Sequence, residues 1–183
     1  MTLNIFPHSI RRRLPFVSLV TVLSVTMFAC GSGDGELKFE QINPGIKTYS
    51  IADFQSAGFK VVKEYDVEGL TGATSAVFGF QRYDGADPQS YELRFYKSHE
   101  DAVQLGTSFA EEVTGANPVL VVSKMRWSKA QKEEREQIGN GGAASFYWNY
   151  AIHSNVVMLC EGDWLEQSLE VCADLVNTLD AEF

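Results

Sequence analysis

Histidine is scarce in this 183-residue sequence: there are three, and only His99 and His153 lie beyond the first thirty residues. Cysteine is as rare, with Cys30, Cys160 and Cys172. No C-x-x-C or zinc-ligand spacing occurs among so few soft ligands, which excludes a zinc module and a dithiol redox centre. G-x-S-x-G, H-E-x-x-H and P-loop motifs are also missing, and no cofactor is implied. Basic residues are outnumbered, 15 against 24 acidic, for a formal charge of −9. Such a chain is repelled by nucleic acid and by anionic headgroups. Beyond residue 29 no apolar run approaches the ~20 residues of a spanning helix, so a polytopic membrane protein is excluded.

What is present suffices for one globular core, since 45% of the residues are hydrophobic. Residues 1–29 carry Arg11, Arg12 and Arg13, no acid, then an apolar-biased run from Leu14 to Ala29. A basic region, a short apolar region and a small residue at the cleavage point make a secretory signal. The ending Met27-Phe28-Ala29-Cys30 resembles the lipobox of bacterial lipoproteins. That resemblance covers residues 11–30 only. It implies a diacylated Cys30, loss of the preceding peptide, and a domain held on a membrane and facing the periplasm or exterior. Gly31 after the Cys implies an outer membrane where the cell has one. The competing expectation is an uncleaved signal anchor, but the apolar run is shorter than a bilayer requires. Either way, positive charge before the segment places the domain outside the cytoplasm. Without residues 1–29 the chain has 12 basic and 24 acidic groups, net −12.

The expected organisation is a signal peptide over 1–29, a lipidated Cys and tether or loop over 30–48, and a globular domain over 49–183. Three helices are marked by caps: Ser50 with Asp53, Ser98 with Asp101, and Asp163 with Glu166. The first ends at Gly58. The second runs over about 99–113, with Ala102, Leu105, Phe109 and Val113 at helical spacing. The third runs over about 164–179, with Leu165, Leu169, Cys172, Val176 and Leu179 forming a stripe. Strand-like runs cover 59–65, 76–83, 91–97, 119–125, 145–152 and 155–161. A symmetric loop after residue 83 would set Arg82 opposite Glu92. Ser128–Ile138 is polar almost all round, with Lys129–Glu133 and Lys132–Glu136 at i,i+4, and reads as an exposed helix or mobile insertion near 128–142. The expected fold is α+β: a single domain of order α-βββ-α-βββ-α. Its sheet is largely antiparallel, of about six strands, with helices mainly on one face.

Candidate sites are few. With Cys30 taken by lipid, Cys160 and Cys172 remain as an even pair outside the cytoplasm, which argues for a disulfide. A helix often stands ~7–8 Å from a facing strand, so two buried thiols are the other reading. Ser98-His99-Glu100-Asp101 contains triad letters, but adjacent residues cannot face one another as a triad requires. Gly139, Gly141 and Ala144 meet G-x-G-x-x-A without the strand before and helix after. Asp84 and Asp87 read as turn residues rather than calcium ligands. Glu166, Glu170 and Asp174 recur every four residues on the third helix, either a solvated face or a strip for a basic partner or divalent cations. Strict alternation sends Phe146, Trp148 and Tyr150 to one sheet face and Tyr147 to the other. If helices cover only one face, Trp148 and Tyr150 belong to an open groove.

These readings lead to a lipid-anchored extracytoplasmic module, not an enzyme, binding a small ligand or an envelope protein. The alternatives are a hydrolase-like envelope enzyme, for which no nucleophile–base pair is evident, and a purely structural envelope lipoprotein.

Overall fold

The computed structural model describes residues 39–130, 136–139 and 142–181. Along them run β1 (Ile42–Asn43), α1 (Ile51–Ser56), β2 (Lys60–Tyr65), β3 (Ser75–Gln81) and β4 (Gln89–Phe95). A helical segment follows as α2 (His99–Asp101), a wide π-type turn (Ala102–Gly106) and α3 (Thr107–Glu111). After a short 3-10 turn at Val122–Lys124 come β5 (Glu136–Gly139), β6 (Gly142–Ser145), β7 (Tyr147–His153), β8 (Val156–Glu161) and α4 (Leu165–Ala181).

Local chemistry explains the starts. Ser50 opens α1 with a capping box, its backbone N–H donating to Asp53 Oδ2 at 2.8 Å. Ser98 Oγ accepts from the Asp101 N–H at 3.1 Å and caps α2. Gly106 lets the helical segment approach the sheet. A Cβ there would lie 2.7 Å from Val157 Cγ2 and 2.9 Å from the Tyr96 ring.

The fold is α+β. Six strands form one sheet in the order β1-β7-β8-β4-β3-β2, antiparallel except where β1 runs parallel to β7. β5 and β6 pair separately. One face buries Val77, Leu93, Phe95 and Met158 beneath α1 and α4. The other buries Ile152, Val157 and Leu159 beneath Ala102 and Ala110 of the middle helical segment and Val113 just after it. Phe109 and Trp127 extend that second layer over Ala76 and Tyr65.

Four expectations are corrected. Val119–Met125 forms no strand; Val119 N–H donates to Glu112 O at 2.7 Å, and Arg126 bonds Glu112 and Ser108. These ties carry the chain across α3, and the sixth sheet position goes to Ile42–Asn43. Within Ser128–Ile138, Glu136 onward is strand, and Lys129 pairs with Asp66 at 3.1 Å. Residues 131–135, with Lys132 and Glu133 of the expected i,i+4 pairs, lie outside the described residues. Phe78, not Arg82, lies opposite Glu92, because the strands pair from Gln81–Gln89 inward. Finally, β7 bulges between Tyr147 and Asn149, so alternation breaks and Tyr147 joins Tyr150 in one layer. The middle helical segment covers that layer, so Tyr150 is buried and lines no open groove.

Candidate binding cleft

The chain between β1 and α1 must be fastened to the sheet, and Asn155 does it. Its Nδ2 donates to Tyr49 O and Tyr96 O, each at 2.9 Å, and its Oδ1 accepts from Tyr49 N–H at 2.7 Å. Asn155 is buried, just past a turn in which Ser154 adopts φ +52°. The bracket holds the start of α1 away from the ends of β3 and β4, leaving a cleft of about 490 Å³. That volume lies within the usual range for small-molecule sites.

The cleft floor is aromatic, with Tyr49 and Phe95. Its walls carry the hydroxyls of Thr48, Ser50, Thr74 and Ser75. Two of these are engaged: Ser50 Oγ donates to Asp53 Oδ2 at 2.7 Å and Thr74 Oγ1 to Phe95 O at 3.1 Å. Lys97 supplies the cleft's one charged side chain among the described residues. Such a set offers hydrogen bonds and a single cation over an apolar base, which suits recognition. Among the described residues no His borders the cleft.

Behind Tyr49 lies a polar cluster. Its hydroxyl donates to Asp180 Oδ1 at 2.6 Å, and His153 Nε2 stands 3.2 Å from the same oxygen. Burial, then the bond and charge of Asp180, push the Tyr49 phenol well above its ordinary range. Lys47 Nζ lies 5.1 Å from the Tyr49 ring centre and 2.9 Å from Asp53 Oδ1. The Ser50 hydroxyl, Lys47 and the Ser50 N–H together hold the Asp53 carboxyl down to about 2. The cluster fixes Tyr49 and thereby part of the cleft floor.

Sequence reasoning found other residues. Cys160 and Cys172 are joined by a disulfide, with Cα atoms 5.6 Å apart, within the range such a bridge requires. Glu166, Glu170 and Asp174 are exposed along α4. Burial and then Glu170 raise the Asp174 carboxyl. Tyr150 sits across the sheet from that strip, its hydroxyl 3.3 Å from Glu111 Oε1 and its pKa pushed up to about 12 by burial and that carboxylate. Trp148 is half-buried at the β7 bulge. The structure therefore does not gather Tyr150 and the acidic strip into one site. His99 Nδ1 lies 2.8 Å from Ser154 O, and Ser98 serves as a cap, so the triad letters form no triad. Missed from sequence was the pair Glu92–Arg94, 2.8 Å apart, fully buried in the second layer, with the guanidinium 5.1 Å from the Trp127 ring centre.

The profile of a family of unknown function, DUF6810, matches residues 50–181. The chain belongs to this family. The DUF6810 span opens at the α1 cap and closes at the end of α4. It takes in Ser50, Thr74, Ser75, Lys97 and Asn155 of the cleft and both bridged cysteines, and leaves Thr48 and Tyr49 outside. No curated protein and no solved structure matches the chain. Among the described residues no three His, Cys, Asp or Glu side chains group as metal ligands, and no helix is long and apolar enough to cross a membrane.

Proposed function

We propose that this protein is a lipid-anchored extracytoplasmic binding module, attached through Cys30 and recognising a small ligand in the cleft between α1 and the ends of β3 and β4. The observation that carries the reading is the order Arg11-Arg12-Arg13, apolar run, Ala29-Cys30. The buried Cys160–Cys172 bridge supports it, since such bridges persist in oxidising compartments. The net charge of −12 on residues 30–183 supports a role for lipid too, because charge alone would not hold this body at an anionic surface. Two acyl chains supply the double signal that stable attachment needs.

The test is expression of the whole chain in a bacterium, followed by fractionation and intact-mass measurement. Membrane association, with a mass corresponding to residues 30–183 plus a diacylglyceryl group, is expected. Cys30→Ala should abolish the lipid mass. A soluble product, or a membrane-bound one retaining residues 1–29, would overturn the anchoring. Native mass spectrometry on the same material reads the cleft: extra mass lost on denaturation, and lost in Lys97→Glu, identifies a ligand there.

A further inference from the structure

We infer that the end of the domain bearing Trp164 and Leu165 rests on the lipid surface, leaving the cleft at the opposite end, facing away. The inference rests on the attachment at Cys30 and adds an orientation to it.

Direction comes from β1. It runs parallel to β7, with Ile42 opposite Ile152 and Asn43 opposite His153. Followed backwards, the chain therefore heads toward the Tyr147 end of β7. Gln41 confirms the path, its Nε2 donating to Asn149 Oδ1 and Tyr150 O at 2.8 and 2.9 Å. The same Asn149 donates through Nδ2 to Leu165 O at 3.4 Å. One side chain thus bonds both the incoming chain and the start of α4.

At that start two large apolar residues stand in solvent: Trp164 is 53% and Leu165 50% exposed. Isolated exposed apolar residues need no explanation. These two are adjacent to each other and beside the incoming chain. Eight residues, 31–38, separate Cys30 from Phe39. Fully extended, they hold Phe39 within ~30 Å of the lipidated sulfur. Trp is favoured at membrane–water interfaces, where an amphipathic ring spans both media. Asp163 and Glu166 flank the pair and are exposed, so the surface that fits is neutral, zwitterionic lipid rather than anionic lipid.

The other end follows from α4. Its 17 residues span ~25 Å. They end with Asp180 bonded to Tyr49 and beside His153, at the cleft. With Trp164 at the bilayer, the cleft stands about one helix length further out.

The test uses lipid-bearing protein purified from membranes and reconstituted into phosphatidylcholine vesicles with brominated acyl chains. Brominated chains should quench tryptophan emission. With Trp148, the half-buried indole at the same end, already replaced by Phe, Trp164→Phe should lose that quenching, while Trp127→Phe, which removes a buried indole, should keep it. Adding phosphatidylglycerol at low salt should reduce quenching, through repulsion of Asp163 and Glu166. No quenching with the lipid attached, quenching that survives Trp164→Phe, or an increase with phosphatidylglycerol would overturn the orientation and leave the anchoring intact. Protein lacking the diacyl mass would overturn both.

Discussion

Asp53 serves two ends at once. One carboxylate closes the capping box of α1 and pairs with Lys47, which also lies over the Tyr49 ring. Its folded-state pKa is lowered from 3.8 to about 2. A depressed acid contributes its stabilisation fully above pH ~4 and loses it as pH falls toward 2. Asp53→Asn should therefore flatten the acid limb of the stability curve between pH 4 and 2, read as urea midpoint against pH; parallel curves would refute this. Asn155 is the residue on which the cleft depends. Its truncation leaves one N–H and two C=O groups buried without their partner, each costing ~1–3 kcal/mol when fully orphaned. Three such groups set a floor, so Asn155→Ala should cost at least about 3 kcal/mol in denaturant unfolding. The cap was readable, since Ser50 and Asp53 announce it by their spacing; the role of Asn155 was not, because it meets Tyr49 across 106 positions. Local chemistry is visible in a sequence, whereas a contact of that range exists only once the sheet has formed.

The elements show the same division. The caps of α1 and α2 and the apolar stripe of α4 were legible, because those signals lie within a few residues. Val119–Met125 had strand composition yet formed none, since its backbone at Val119 and the neighbouring Arg126 are tied to α3 and its end instead. The pairing of β5 with β6 was missed, because the charge pattern of this stretch pointed to a helix. The middle helical segment carries the sharpest element-scale prediction. Ala is favoured over Gly in a helix by ~1 kcal/mol. At Gly106, however, the added Cβ meets Val157 Cγ2, a short side chain on the central strand β8, at 2.7 Å. Overpacking of this kind costs ~1–3 kcal/mol. The clash should outweigh the propensity, so Gly106→Ala should lower the denaturant midpoint by the equivalent of about 1 kcal/mol, with the strain visible as altered near-ultraviolet signal from Tyr96.

At the scale of the molecule, α4 joins the two ends of the sheet and the disulfide pins its centre. Cys172 reaches Cys160 in β8 across a separation of 12 residues. Near Leu165 and Ser168 the helix is bonded to Asn149; at Asp180 it is bonded to Tyr49. The apolar stripe between, including Leu175 and Leu179, already belongs to a fully buried cluster. The bridge is thus a reinforcement of packing rather than its replacement, and its loss should weaken the domain without abolishing the fold. A closed loop of this size restricts the unfolded chain by ~3 kcal/mol. Removing both sulfurs together leaves two small gaps in the core, which Ala fills incompletely. The double variant Cys160→Ala, Cys172→Ala is therefore expected to unfold cooperatively, with stability lower by about 3 kcal/mol. Wild-type protein made without residues 1–29 in a reducing cytoplasm should behave like that variant and recover the difference on oxidation. If the reduced protein and the oxidised protein share one denaturant midpoint, the bridge adds nothing to the folded state, and its support for an extracytoplasmic home falls with it.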